Sequence, residues 1–182
     1  MKNILPTEEI GEYQLRSIAM SQEEVSFDDM KQEMALYLLE QRTGVLATAD
    51  GEYVTARGML IWSDGLIIYC FTGTRSRKCS QITANPNVAV TAGYLQIEGV
   101  ARLTGDPLEK ENTRFLEVFK EIDPEVYEKR MDVFRAQTIK TSVIEITPTR
   151  VARYYPRGFM DILNIQSEKA YKTRIGEPTY YN

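Results

Sequence analysis

Between residues 44 and 103 the chain passes again and again through a short strand-like stretch and then a turn signal. That spacing points to an antiparallel sheet built from hairpins. Gly44 to Ala49 meets Asp50-Gly51, a dipeptide suited to hairpins because both residue types tolerate positive φ. Tyr53 to Trp62 returns, Ser63-Asp64-Gly65 turns again, and Leu66 to Thr72 follows. A short helix over about Ser76 to Ala84 stops at Asn85-Pro86, since the residue before a proline is pushed out of the helical region. Val88 to Ala92 and Tyr94 to Leu103 supply two more strands, and Thr141 to Ile146 alternates and then resumes past Pro148 to Tyr155. Helices are interposed. Ser26 reads as an N-cap before Met30, Met34, Tyr37 and Leu38 on one helical face, with the end near Gln41 to Thr43 and Gly44 as terminator. Pro107 opens a helix with Leu108, Phe115, Leu116, Phe119 and Ile122 on one face, and Asp123-Pro124 starts another. The sum is an antiparallel barrel of the α+β class.

Composition narrows the chemistry. At 182 residues the chain suits one domain, and 43% apolar with 26% charged residues is ordinary for a soluble globular protein. A net charge of −4 argues against a general nucleic-acid binder. No apolar run approaches a membrane span, and Met1 to Met20 lacks the apolar stretch of a signal peptide, so no membrane partner is expected. Cys70 and Cys79 form no disulfide framework and no paired metal-binding spacing, which fits a reducing cytoplasm. There is no histidine, which removes Ser-His and Cys-His triads, histidine zinc sites and histidine-ligated haem. Glu117, Glu121, Asp123 and Glu125 read as a solvated helix junction, and no metal site is expected. The chemistry left is that of carboxylates, Lys and Arg, Tyr, Cys or a bound cofactor.

One stretch carries more information than the rest: Thr72-Gly73-Thr74-Arg75-Ser76-Arg77-Lys78, where a strand gives way to a short helix. Ser76 suits the N-cap, but Arg77 and Lys78 then occupy the first turn, where the positive end of the helix dipole disfavours cations by about 0.3–1 kcal/mol each. An anion held there would reverse that sign and bring free N–H groups, a hydroxyl and two cations onto one phosphate. A solvated basic turn would look the same in sequence. Along Tyr53 to Trp62, alternation groups Val54, Ala56, Leu60 and Trp62 on one face and Tyr53, Thr55, Arg57, Met59 and Ile61 on the other. The apolar set is taken as the core face, so Arg57 is expected to point away from the core, beside a Gly58 that lets a flat ligand approach. An exposed, idle Arg57 fits the same pattern.

Phe71 to Lys78, followed by Gln81-Ile82 and Asn85-Pro86-Asn87-Val88, resembles the motif series of the pyridoxamine 5′-phosphate oxidase-like family of FMN-binding split barrels. Arg57-Gly58-Met59-Leu60 is similar to the family's upstream flavin strand, and Ile97 to Leu103 to its later Gly-x-Ala strand. The resemblance spans about Phe27 to Tyr155. It implies a split β-barrel of about six mostly antiparallel strands with flanking helices, with a core at about 26–155. It covers neither terminus: the polar, weakly patterned residues 1–25 are expected to form an N-terminal arm or a short helix, and the aromatic and basic residues 156–182 a C-terminal extension too irregular to assign. By the same resemblance, Ser76, Arg77 and Lys78 would bind the FMN phosphate and Arg57 would assist. The backbone of Gly58, Met59 and Leu60 would face the flavin ring, Phe71 and Thr72 would lie against it, and Gln96 would stand in for a family glutamine from a two-residue offset. The family implies a homodimer with flavin at the interface.

The departures concern substrate. The family's B6 oxidases carry a lysine where this chain has Ile61-Trp62-Ser63, and an Arg-x-His near the C-terminus that a chain without histidine lacks. The expectation is an FMN-dependent oxidoreductase acting on an unidentified small molecule other than pyridoxamine phosphate. The alternatives are a flavin carrier without turnover, or a relative holding F420 or haem.

Overall fold

The structure, a computed structural model, describes residues 21–155 and 159–174. These form a mostly antiparallel sheet of ten strands with four α-helices. The strands are β1 (Ser21–Val25), β2 (Thr43–Ala49), β3 (Val54–Leu60), β4 (Trp62–Asp64), β5 (Ile67–Gly73), β6 (Asn87–Ala92), β7 (Leu95–Gly105), β8 (Thr141–Tyr155), β9 (Phe159–Asn164) and β10 (Lys169–Arg174). The helices are α1 (Phe27–Leu39), α2 (Arg77–Ala84), α3 (Thr113–Ile122) and α4 (Pro124–Ala136). The main path runs β1-β10-β9-β8-β7-β6-β2-β3, while β4 pairs with β5 and β5 with β8. The path does not close, so the barrel is split and β3 is an edge strand.

Strand β8 is long enough to serve two neighbours along one side. Its first half pairs with β5, from Thr141 opposite Gly73 to Ile146 opposite Ile68, and its second half pairs with β9, from Arg150 opposite Asn164 to Tyr155 opposite Phe159. The change of partner coincides with Pro148, which cannot donate to a ladder, and with a register shift against β7 between Glu98 and Gly99. Gly99 is required there, because a Cβ would come within 2.5 Å of the Thr147 carbonyl oxygen. On the second half of β8, buried Arg153 donates to Asp161 Oδ2 at 2.8 Å and to Glu33 Oε1 at 2.6 Å, fastening β9 and α1 to the sheet.

Two cores flank β5. Ile68 and Cys70 face a barrel interior with Leu46, Val90, Ile97, Ile144 and the α1 residues Met30, Met34 and Leu38. Those three recur every fourth residue, as a helical face requires, and Ser26 Oγ accepts from the Asp29 N–H as the cap expectation holds. Tyr69 and Phe71 face outward to a second core of Trp62, Phe115, Phe119, Met131 and Phe134 from α3 and α4. Trp62 lies parallel to Phe71 at 5.5 Å and tilted against Phe119 at 4.3 Å. Arg114 of α3 grips both carboxylate oxygens of Asp64 at 2.7 Å and closes the edge of this cluster.

Several sequence expectations change. Gly44 does not terminate a helix: α1 ends at Leu39, and Gly44 lies buried within β2, where the backbone of Thr91 is 3.0 Å from any added Cβ. Pro107 opens only a turn and a short 3₁₀ segment at Lys110–Asn112 before α3, and Leu108 is exposed. Ser21–Val25, assigned to an arm, and Phe159–Asn164 and Lys169–Arg174, within a tail too irregular to assign, are sheet strands joined as β1-β10-β9. The rest of the arm and of the extension lies outside the described residues. The pairing of Ser21 with Arg174 joins residues 153 positions apart, and local patterning carries no trace of it.

Phe119→Ala empties the centre of the second core. It should lower unfolding free energy by about 3–5 kcal/mol in urea denaturation, and a loss below about 1 kcal/mol would show that the aromatic cluster does not hold α3 and α4.

Candidate functional site

The loop after β5 and the start of α2 bring three cations together. Ser76 occupies the N-cap position with extended backbone, as its place in the sequence suggests, but its hydroxyl makes no cap hydrogen bond. It donates instead to Cys79 Sγ at 3.4 Å and accepts from Thr72 Oγ1 at 3.3 Å. Lys78 Nζ donates to Thr72 Oγ1 at 2.9 Å. The Cys79 N–H donates to the Ser76 carbonyl at 3.0 Å, while the Arg77 and Lys78 N–H groups ahead of it have no acceptor inside the helix and the cap side chain supplies none. Arg77 extends along the surface, its guanidinium 5.6 Å from the Tyr53 ring centroid.

Arg57 reaches the same place from β3. The grouping of Arg57 with Thr55, Met59 and Ile61 holds, but their face is the inner one, which reverses the expected direction. Val54 is 75% and Leu60 45% exposed, while Ile61 is 2% exposed. The pattern misleads because the outer face of β2 and β3 is apolar yet bare in the single chain, and apolar residues were taken to mark the core. Arg57 donates through Nη1 to the Leu46 carbonyl at 3.0 Å and to Thr48 Oγ1 at 2.7 Å, and through Nη2 to Thr55 Oγ1 and, at 3.3 Å, to Gln81 Oε1. All of these acceptors are neutral. Burial lowers the Arg57 pKa below the ordinary arginine value, and the nearby charge of Arg77 pushes the same way.

Among the described residues, none of Arg57, Arg77 and Lys78 forms a salt bridge, although Arg77 lies near enough to Asp50 to help lower its pKa. The nearest acid, Asp50, is engaged in the β2–β3 turn, where N–H groups of Tyr53 and Glu52 bind its Oδ1 and the Tyr53 bond does most to hold its carboxyl below the usual range. Two cations at a helix start and a third from β3, none of them ion-paired, have the chemistry to receive an anion such as a phosphate.

The other expected residues divide. Gly58 and Leu60 lie on the outer face of β3, and a Cβ at Gly58 would meet nothing within 4 Å, so that strand is open to a flat ligand. Met59 is half-buried against the barrel core. Phe71 turns its ring away from the cations into the second core, where it meets Phe134 edge-on at 5.2 Å, leaving only its backbone beside Thr72. Gln96 is not brought to the site. It shares a row with Thr91, Val45 and Gly58 across four strands, about 14 Å from Gly58 at the usual strand spacing, and it contacts Glu98 at 3.4 Å. Sequence reasoning missed Gln81 and its partners Thr48 and Thr55. Their signal is faint: a glutamine on the apolar side of α2 and a threonine pair facing each other across a hairpin. A pocket of about 440 Å³, lined by Thr74, Asp106, Phe134, Gln137 and Lys140 among others, borders the loop but contains none of the expected site residues. No metal cluster is present among the described residues, and none of their helices is long and apolar enough to cross a membrane.

Comparison with known proteins agrees with this fold. The family model for pyridoxamine 5′-phosphate oxidase matches residues 30–155, more than half of the chain. The chain belongs to that family. It is similar to general stress protein 26 of Bacillus subtilis (strain 168), at 36% identity over 66 residues, and spans 47% of that relative's length and 36% of its own. A solved structure from Listeria innocua, assigned to pyridoxamine 5′-phosphate oxidase, is 25% identical with a TM-score of 0.52 over 67% of this chain and 95% of the other. A haem-binding protein from Mycobacterium smegmatis shares the fold at 13% identity, with a TM-score of 0.57 over 79% of this chain and 60% of the other. Membership in the pyridoxamine 5′-phosphate oxidase family therefore fixes the fold and leaves the cofactor to the residues of the site.

Cys70 is buried in the barrel core under the site loop. Burial pushes its thiol up to about 12, with the Lys78 ammonium pulling the other way. The native protein should leave Cys70 unmodified by iodoacetamide at pH 8, as followed by peptide mass mapping, and modify it fully in denaturant. Rapid labelling of the folded form would place Cys70 in reach of solvent.

Proposed function

We propose that the chain binds FMN by its phosphate and works as an FMN-dependent oxidoreductase on an unidentified small molecule. The observation that carries this reading is the group of three cations, Arg57, Arg77 and Lys78, none of which forms an ion pair among the described residues. A doubly charged phosphate monoester answers that imbalance, whereas riboflavin alone does not. Thr72 and the open backbone of Gly58, Met59 and Leu60 then lie where a flat ring extending from the phosphate would pass. The flavin, when bound, supplies the electron transfer, and the residues of the chain bind, orient and shield it. Haem is less well served, since a chain without histidine has no imidazole to ligate the iron. Pyridoxamine phosphate itself is disfavoured as substrate, because Ile61-Trp62-Ser63 replaces the lysine that the family's B6 oxidases carry.

A second copy of the chain completes the proposal. The bare outer face of the β2–β3 hairpin presents Val45, Val54 and Leu60, all 43–75% exposed, an apolar surface of the kind that marks an interface. Two copies meeting there would enclose a flavin on Gly58 and would let the partner's outer face, with its Gln96, approach from the far side.

Arg77→Ala and Lys78→Ala should each weaken FMN binding by about 1.5–3 kcal/mol, the scale of a charge-assisted hydrogen bond, and leave riboflavin binding almost unchanged in fluorescence titrations. Equal losses for both ligands would remove the phosphate role. Light scattering of the FMN-loaded protein at micromolar concentration should give a dimer mass, and a monomer mass would overturn the interface.

A further inference from the structure

The most heavily bonded side chain beside the cations is Gln81, which is 1% exposed on the inner face of α2. Its Oε1 accepts from Thr48 Oγ1 at 2.6 Å, Thr55 Oγ1 at 2.7 Å and Arg57 Nη2 at 3.3 Å. Its Nε2 donates to the Tyr53 carbonyl at 3.1 Å and to Asp50 Oδ2 at 3.4 Å. Arginine only donates and a carbonyl only accepts, so the amide has a single workable orientation. One residue of α2 thus touches β2, β3 and the turn between them, one helical turn past the two cations at the helix start.

We infer that Gln81 is a positioning residue for the anion site, fixing Arg57 against the start of α2 while leaving its charge uncancelled. This rests on the anion reading above. The case is one of chemical elimination at a single buried position. A hydrocarbon side chain would leave the hydroxyl protons of Thr48 and Thr55 without their acceptor and Arg57 with one partner fewer. A glutamate would hold them, but its charge would pair with Arg57, and its second oxygen would oppose the Tyr53 carbonyl and the Asp50 carboxylate. A neutral amide offers an acceptor to Arg57 and a donor to the turn at once. Arg57 is held the same way throughout: its terminal nitrogens all meet neutral oxygens, so it acts on a ligand as a charge locked in place, with Nε–H as its remaining donor.

The test compares FMN with riboflavin affinity in the full chain, in Gln81→Met, in Arg57→Met and in the double variant, with melting of the unliganded proteins measured alongside. Wild type should prefer FMN. Gln81→Met should lower that preference about tenfold, within the range for coupled neighbours, and should have no further effect once Arg57 is methionine. Gln81→Glu, which keeps an oxygen toward Thr48, Thr55 and Arg57, takes the place of Gln81→Met if the latter does not fold, and should lower the preference at least as much. A wild type without preference for FMN sinks the anion reading and this inference with it. A wild type that prefers FMN, with variants that melt lower yet keep the preference within twofold, leaves the anion reading standing and reduces Gln81 to a fold-stabilising residue.

Discussion

Arg57, Arg77 and Lys78 come from two elements, β3 and the start of α2, and none of them is ion-paired with a carboxylate among the described residues. Burial lowers the pKa of Arg57, and the charge of Arg77 adds to the shift. Such an arrangement survives only if packing and neutral hydrogen bonds hold it. The rest of the local structure can be read as that support: Thr72 holds Lys78, and the Leu46 carbonyl, Thr48, Thr55 and Gln81 hold Arg57. Asp50, which would otherwise neutralise the group, is tied into its own turn by Tyr53 and Glu52.

The split in the barrel gives this end its form. Strand β5 is buried on both faces, by the barrel core and by the aromatic cluster under α3 and α4, so the loop that follows it starts from a rigid strand. On the other side β3 is an edge with an inner face committed to Arg57 and an outer face left apolar and bare. The candidate site lies between that strand end and this uncovered edge.

Much of this was legible in the sequence, for reasons that differ by residue. The hairpins announced themselves through Asp50-Gly51 and Ser63-Asp64-Gly65, because turn chemistry is local. The placement of Ser76, Arg77 and Lys78 at a helix start was legible too, since Asn85-Pro86 fixed where that helix ends. The direction of Arg57 was not, because an apolar face awaiting a partner reads the same as one facing a core. Strands β1, β9 and β10 escaped since their pairing joins opposite ends of the chain. Gln81 escaped as a functional residue because its importance lies in five contacts, none of them close in sequence.

The account stands or falls on where a phosphate sits. A crystal structure of the protein with FMN gives this directly through the position of the phosphorus atom. The account predicts phosphate oxygens within hydrogen-bonding distance, about 2.7–3.2 Å, of Lys78 Nζ and of the first N–H groups of α2, with the Arg77 side chain drawn in from Tyr53. A phosphate that lies elsewhere, in the pocket beside Lys140 or out in solvent, would contradict it.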